Sequence, residues 1–301
     1  MAVIETLRSG VNSWECDQMG HLNVRTYFAR ANQGMVGLAL ALGLGPGRMR
    51  AQGWCLRASD QHVRFMRELR VGASYTVLSG VVAASSEGLE VYQELCFAGE
   101  QTLAASVFTK LGLRECATDQ PVRMPEEALS RVTEVETTLP DDGFGRGIER
   151  SAPQPGPSRN EAIAMGMVGA YMAPVSPEDC DAHDLMTETA FMARVSDGIG
   201  HFFRRLHPPG TPVGGAALEY RYVFHTRPRL GDLIEVRTGL KALGNKTRHF
   251  CHFVFDVESG CCVASSEAVA VGFDLKARRA LPISPEARAH MQAQIVPGLR
   301  I

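Results

Sequence analysis

The chain has 301 residues, of which 45% are hydrophobic and 21% are charged, and its formal net charge is −2. These values are ordinary for a folded globular protein, and they exclude a disordered, collagen-like or coiled-coil chain. A nearly neutral chain without long runs of like charge has no electrostatic reason to bind nucleic acid or an anionic membrane surface. We therefore expect neither partner.

The N-terminal region gives no sign of export, because Glu5 stands where a signal peptide requires an apolar core. The longest uncharged apolar stretches, residues 32–47 and 162–177, are short and interrupted by glycine or proline, so no membrane-spanning helix is predicted. The eight cysteines are scattered and form no Cys-x-x-Cys pair, which is typical of reduced thiols. These features predict a cytoplasmic protein.

A weak internal repeat organises the chain. Cys16-Asp17 recurs as Cys180-Asp181 at an offset of 164 residues, and Phe65 matches Phe224 at an offset of 159. Because several such matches follow one another in order at nearly constant spacing, they predict two copies of one module. The predicted modules comprise residues 1–136 and 161–301, joined by a linker rich in proline and glycine at residues 137–160.

Each copy has the same order of predicted elements. A short apolar segment at residues 3–14 or 165–175 leads into the Cys-Asp loop, and a long helix with apolar residues at helical spacing follows. Glycine and proline end the helices, at Gly43–Gly47 and at His207–Gly210. The predicted strands are 75–82, 90–97 and 102–111 in the first copy, and 218–224, 233–238, 249–257 and 262–273 in the second, with hairpin turns at 85–88 and 244–246. One long helix followed by consecutive antiparallel strands predicts an α+β fold.

The first Cys-Asp loop carries polar residues at a distinctive spacing within WECDQMGHLNVRTYF. Its Asp-x-x-Gly-His-x-Asn-x-x-x-Tyr pattern is formed by Asp17, Gly20, His21, Asn23 and Tyr27. With this pattern the chain resembles the hotdog-fold acyl-CoA thioesterases, in their hydroxybenzoyl-CoA thioesterase-like branch. The resemblance implies two tandem hotdog modules, each a curved antiparallel sheet wrapped around one long central helix. It also implies hydrolysis of an acyl-CoA thioester to a free acid and coenzyme A.

Thioester hydrolysis needs a general base or nucleophile and a group that polarises the carbonyl. Asp17 is the candidate for the first task, and the sequence leaves open whether it attacks directly or activates water. His21 would hold Asp17 or the water in place, and Asn23 would orient the water or only cap the helix. The backbone N–H near Val24, at the start of the helix, would polarise the thioester oxygen.

Two further residues of the first loop are predicted to contact substrate. Gly20 would let the substrate approach the backbone closely, and Tyr27 would line the pocket or the core. The second loop keeps Asp181 but replaces the other four pattern residues, which become Asp184, Leu185, Thr187 and Phe191. We therefore expect a single catalytic loop, in the first copy, and a degenerate second loop whose aspartate is structural.

No cofactor is expected beyond the coenzyme A of the substrate, and no metal site, because the nine histidines form no ligand motif. The arginines that could contact the phosphates of coenzyme A are Arg64, Arg67, Arg70, Arg227 and Arg229. Two other functions stay open: an enoyl-thioester hydratase or dehydratase that uses His21 with Asp17, and a non-catalytic acyl-CoA-binding module. The acyl group, the choice between coenzyme A and acyl carrier protein, and assembly into a homo-oligomer are also open.

Overall fold

The computed structural model of the protein describes residues 3–100, 102–206, 215–274 and 279–301. The chain divides into two compact units, Met1–Gly145 and Arg146–Ile301. Both units contain a long helix and an antiparallel sheet, which confirms the predicted α+β class. No helix within the described ranges is both long and apolar enough to cross a membrane.

The first unit is built on a sheet whose strands all pair antiparallel with their neighbours. Its elements are β1 (Ile4–Gly10), α1 (Val24–Ala41), α2 (Pro46–Gln52), β2 (Trp54–Phe65), β3 (Ser74–Ser85), β4 (Gly88–Phe97), β5 (Leu103–Glu115), β6 (Pro121–Val122) and α3 (Glu126–Ser130). The order across the sheet is β1-β3-β4-β5-β2, and β6 pairs with β5. Helix α1 packs against β1 and β3.

The second unit repeats this design. Its elements are α4 (Arg159–Ala164), β7 (Val168–Pro174), α5 (Glu188–Leu206), β8 (Gly215–Phe224), β9 (Leu233–Leu243), β10 (Thr247–Asp256), β11 (Cys262–Asp274), β12 (Arg279–Leu281) and α6 (Pro285–Gln292). The order β7-β9-β10-β11-β8 matches that of the first unit strand for strand, and α5 packs against β7 and β9. The weak sequence repeat therefore corresponds to a repeat of topology.

Each long helix lies unusually close to the first strand of its unit. A Cβ atom on Gly37 of α1 would stand 2.6 Å from the carbonyl oxygen of Thr6 in β1. In α5, a Cβ atom on Gly198 would stand 2.7 Å from the carbonyl oxygen of Ala170 in β7. Because both helices approach the strand backbone this closely, a larger residue at either glycine would force the helix away from the sheet.

The predicted strands agree with the structure to within a few residues, and both predicted hairpin turns connect paired strands. Strand β2 and helix α2 have no counterpart among the predicted elements of the first copy. Gly43–Gly47 does end α1, but Pro46 within this run also begins α2, as proline often does at a first helical position. The second predicted helix stop, His207–Gly210, lies outside the described residues.

Residues 146–151, part of the predicted linker, lie against the sheet of the second unit. Glu219 on β8 accepts hydrogen bonds from the first two N–H groups of this segment, at 2.8 and 2.7 Å. Arg221, on the same strand, donates to the carbonyl oxygens of Glu149 at 3.0 Å and Ser151 at 2.7 Å. Both β8 side chains are almost completely buried. The backbone that covers them therefore supplies hydrogen-bond partners to both buried charges.

Candidate active site

The loop between β1 and α1 is fixed at both of its ends. The N–H of Asn23 donates to the carbonyl oxygen of Glu15 at 2.9 Å, and the N–H of Leu22 donates to that of Leu69 at 2.7 Å. The carboxylate of Glu15 forms an ion pair with Arg30 on α1. The loop is thereby held against both the helix and the chain that precedes β3.

The ionisable groups at the start of this loop are tuned by their neighbours. Burial alone would raise the pKa of Glu15, but hydrogen bonds from Asn12 and the charge of Arg30 outweigh it, so the pKa is lowered. The pKa of the Cys16 thiol is raised, first by burial and then by the negative charges of Asp17 and Glu15. A thiol that stays protonated is a poor nucleophile, so Cys16 is not suited to attack a thioester.

Asp17 and His21 lie side by side in the loop. One carboxylate oxygen of Asp17, Oδ1, accepts the N–H of Met19 at 2.8 Å, and the other, Oδ2, lies 3.3 Å from Nδ1 of His21. The backbone reinforces the pair, because the N–H of Asp17 donates to the carbonyl oxygen of His21 at 2.9 Å. The Asp17 side chain is 27% exposed. The arrangement presents a partly accessible carboxylate whose orientation is set by an imidazole.

Gly20 provides the tight turn between these two residues. Its φ is +76°, in the left-handed region that residues with a Cβ atom adopt only at a cost. A Cβ atom placed there would meet no atom within 4 Å, so space is not the constraint. The structure therefore gives a backbone reason for this glycine, where the sequence suggested close approach of substrate.

At the start of α1, one backbone donor is free of any acceptor among the described residues. The side chain of Asn23 caps the helix by accepting the N–H of Arg25 at 3.0 Å, and its carbonyl oxygen accepts the N–H of Thr26 at 2.9 Å. The N–H of Val24 has no acceptor in the described part of the chain. Since Asn23 already donates its own N–H within the loop, Val24 is the residue left to bind an anion with the positive end of the helix dipole.

Tyr27 points into the core of the first unit. Its ring is 4% exposed and packs edge-on against Phe65, with ring centroids 5.1 Å apart. Its hydroxyl accepts the N–H of Leu69 at 3.3 Å. Burial raises the pKa of Tyr27 to about 12, so the phenol stays protonated at neutral pH. These contacts give Tyr27 a role in positioning the loop.

The second loop has the same scaffold. Asp181 accepts the N–H groups of His183 at 2.8 Å and Leu185 at 3.1 Å, just as Asp17 accepts that of Met19. An ion pair between Asp179 and Arg194, at 3.1 Å, repeats the one that anchors the first loop. The turn made by the aspartate is therefore common to both loops and does not by itself distinguish a reactive one.

The two loops differ at the start of their helices. The residue equivalent to Val24 is Glu188, whose Oε1 accepts a hydrogen bond from Nη2 of Arg227 at 2.7 Å. A carboxylate in the first turn already occupies the positive end of the α5 dipole, which disfavours a second negative charge there. This substitution lies just beyond the loop pattern from which the site was predicted, although the repeat aligns Val24 with Glu188.

The arginines singled out from the sequence fall into two groups. Arg64 donates to the carbonyl oxygens of Asp141 and Phe144, at 3.0 and 2.9 Å, and Arg227 is engaged by Glu188. The other three side chains are exposed, namely those of Arg67, Arg70 and Arg229. No group of three or more histidine, cysteine, aspartate or glutamate side chains within the described ranges could hold a metal ion.

Comparison with known proteins relates both halves of the chain to one family. The model of the thioesterase-like superfamily matches residues 11–132 and 175–291. No functionally curated protein matches the chain.

Three solved structures share the architecture over most of the chain. A provisionally assigned oleoyl thioesterase from Lactobacillus plantarum has a TM-score of 0.68 and 12% identity, and the match covers 89% of this chain and 96% of that one. The 12:0-ACP thioesterase from Umbellularia californica has a TM-score of 0.67 and 12% identity, with 89% and 94% covered. An acyl-ACP thioesterase from Bacteroides thetaiotaomicron has a TM-score of 0.64 and 10% identity, with 89% and 98% covered. These matches confirm the predicted fold of two tandem hotdog modules.

Proposed function

The chain belongs to the thioesterase-like superfamily, and from this membership we propose that it hydrolyses an acyl thioester to a free acid and a thiol. The observation that best supports the proposal is the free N–H of Val24 at the start of α1, a few residues from the adjacent side chains of Asp17 and His21. A carbonyl polariser and a carboxylate, here supplied by one loop and the helix start that follows it, are the two groups that thioester hydrolysis requires.

The proposed reaction begins with the thioester oxygen at the N–H of Val24. Negative charge that develops on this oxygen is stabilised by the N–H and by the helix dipole. Asp17 then takes a proton from water as the water attacks the carbonyl carbon, or it attacks the carbon itself to form an anhydride that water opens. In both routes the carbon–sulfur bond breaks and the thiol leaves. His21 orients the carboxylate.

Coenzyme A is the proposed carrier of the acyl group, as the motif of the first loop suggests. Two of the structures that share the fold are named as acyl-ACP thioesterases, so acyl carrier protein is the alternative carrier. The acyl group itself is left to experiment. A cytoplasmic location and assembly into homo-oligomers stay predictions.

Replacing Asp17 with asparagine tests the chemistry. Asparagine can still accept the N–H of Met19 through its side-chain oxygen, so the loop keeps its turn while it loses the base. We expect kcat to fall at least about 100-fold in a thiol-release assay, with acyl-CoA and acyl-ACP substrates of several chain lengths. Asp181→Asn is the matched control, because it makes the same change in the second loop and should leave kcat unchanged.

Undiminished hydrolysis by the Asp17→Asn protein would remove the proposed mechanism. Addition of water to an enoyl-CoA without thiol release would assign the loop to a hydratase instead. Because Asp17 and Asp181 make the same turn, a third outcome is that both aspartates are structural and the protein binds acyl-CoA without turnover. Saturable acyl-CoA binding with no thiol release would establish that function.

A further inference from the structure

The surface around the first loop has a different charge from the surface around the second, although the two loops share their backbone hydrogen bonds. We call the exposed side chains of Trp14, Arg25, Arg67 and Arg70 the first rim. At the equivalent positions the second unit has Glu178, Thr189, Thr226 and Arg229. We call these residues, together with Asp184 and Asp232, the second rim; the first unit has Gly20 and Ala73 at the last two positions. The aligned pair Glu68 and Arg227 has the opposite order of charge, but over all these positions together the first rim is basic and the second is acidic.

The first rim also exposes apolar surface. Trp14 is 77% exposed and Val71 is 56% exposed. Their two loops are joined, because the N–H of Val71 donates to the Cys16 thiol and the N–H of Gly72 donates to the carbonyl oxygen of Val11 at 2.9 Å. Two adjacent exposed apolar side chains beside a candidate active loop, one of them a tryptophan, form a candidate binding surface.

The cations of the first rim are largely unused within the protein. Arg25 and Arg67 form no ion pair with any residue of the described ranges. Arg70 has one ion pair, with Glu68 at 3.3 Å, and its side chain is still 59% exposed. Guanidinium groups that are accessible in this way are suited to bidentate binding of phosphate.

We propose that the first rim binds the nucleotide end of coenzyme A, with the adenine stacked on the Trp14 indole and the phosphates bound by Arg25, Arg67 and Arg70. This inference rests on the proposed function, because it supplies the carrier site for a thioester that reacts in the same loop. Purines stack well on aromatic side chains, and the nucleotide carries several negative charges. The acidic second rim would repel the same group.

The size of the apolar surface favours a nucleotide over a carrier protein. Trp14 and Val71 are the only large apolar side chains that the described first loop and its neighbour expose strongly. A specific protein interface buries roughly 800 Å² on each partner, of which a little over half is apolar, and two apolar side chains supply only part of that apolar area. A single indole ring matches the area of one purine.

Fluorescence of Trp14 tests the contact without reference to catalysis. The chain has two tryptophans, and Trp54→Phe leaves Trp14 as the one indole. We expect free coenzyme A to quench its fluorescence saturably, less strongly at high salt, and pantetheine, which lacks the nucleotide, to leave it unchanged. If Trp54→Phe does not fold, the same titration of the unsubstituted protein and of Trp14→Phe gives the signal by difference. An unchanged signal with coenzyme A, or equal quenching by pantetheine, would overturn the inference.

Kinetics provide a second and separate measurement. Trp14→Ala and Arg67→Gln should each raise KM for acyl-CoA about tenfold with little change in kcat. KM for the same acyl group on N-acetylcysteamine, which has no nucleotide, should not change. Glu178→Ala, the matched control in the second rim, should leave both KM values unaltered.

The outcomes separate this inference from the function on which it rests. Equal effects on the two thioesters, or a raised KM for acyl-ACP alone, would refute a nucleotide site while leaving thioester hydrolysis standing. If the unsubstituted protein hydrolyses no thioester, the proposed function fails, and the fluorescence titration still decides whether the first rim binds the nucleotide.

Discussion

Tyr27 and Leu69 form a buried pair whose counterpart in the second unit is Phe191 and Pro228. The Tyr27 hydroxyl accepts the Leu69 N–H at 3.3 Å. Phenylalanine has no hydroxyl and proline has no N–H, so in the second unit the acceptor and the donor are missing together. This matched change indicates that the hydrogen bond, more than the tyrosine ring, is what the first loop needs from Tyr27.

The pair predicts a non-additive effect on stability. Tyr27→Phe should lower the free energy of unfolding by about 1–3 kcal/mol, because it leaves the buried N–H of Leu69 unpaired. With Leu69→Pro already in place, no N–H remains that could lose its partner. Tyr27→Phe should then lower the free energy of unfolding much less. Urea unfolding of the two single variants and the double variant measures this coupling, and strictly additive free energies would contradict it.

His252 makes the stability of the second unit depend on pH. It is fully buried on β10, its Nδ1 lies 2.9 Å from the Thr238 hydroxyl, and its Nε2 lies 3.5 Å from the hydroxyl of Tyr220. Burial lowers its pKa to about 3, whereas in the unfolded chain it titrates near 6.5. The unfolded state therefore binds the proton first as the pH falls. Stability is fully present above about pH 6.5 and declines between there and about pH 3.

His252→Gln should remove this contribution. Glutamine suits the site, because Gln93 holds the equivalent position and bonds to the Ser79 hydroxyl at 3.0 Å. Between pH 5 and 6 the free energy of unfolding of the original protein should fall by about 1.4 kcal/mol per pH unit more than that of the variant. Urea unfolding across this range measures the difference. His201→Gln, at an exposed histidine, is the control, and parallel slopes for all three proteins would contradict the assignment.

At the scale of elements, the close contact between each long helix and the first strand of its unit determines which glycines of the helix can be replaced by a larger residue. Gly37→Ala on α1 should destabilise the protein by about 1–3 kcal/mol, since its Cβ would stand 2.6 Å from the backbone of Thr6. Gly200→Ala on α5 should stabilise it by up to about 1 kcal/mol, because a Cβ there meets nothing within 4 Å and alanine favours the helix. Thermal unfolding of the two variants checks both signs, and a stabilising Gly37→Ala would show that α1 is not held against β1.

The strands with regular alternation were predictable from the sequence, and β2 shows why one was not. Its central residues Arg57, Asp60, Gln61 and His62 are polar or charged and yet buried. Such residues are normally exposed, so their sequence does not resemble a strand. The repeat alone indicates β2, through the alignment of Phe65 with Phe224 at the end of β8. Burial of this polar set depends on tertiary contacts that no local pattern records.

The candidate site was predictable as far as it depends on local spacing. Residues four apart across a tight turn bring Asp17 beside His21, and Asn23 before an apolar periodic run predicts the helix cap. Tyr27, which the sequence placed in the pocket or the core, is buried, whereas the strong exposure of Trp14 depends on packing between segments distant in sequence. The spacing of the motif carries no information about that packing.

At the scale of the whole molecule, the two units share one scaffold and differ at the start of their long helices. Both units keep the anchoring ion pair, the aspartate turn and the long helix, so these features are what the fold requires. The units differ at Val24 and Glu188, where one helix start is open to an anion and the other holds its own carboxylate. We infer that this position, more than the aspartate common to both loops, decides which unit reacts.

Exchanging the charge at this position tests the division between the units. Val24→Glu should lower kcat for thioester hydrolysis at least about 100-fold, because a carboxylate at the start of α1 repels the oxyanion and competes for its N–H. Val24→Gln has the same bulk without the charge and should lose far less activity. Glu188→Gln should leave kcat unchanged, since we propose that the second loop takes no part in the reaction. Steady-state thiol release measures all three variants. Equal losses from Val24→Glu and Val24→Gln would mean that crowding, and not charge, closes the helix start.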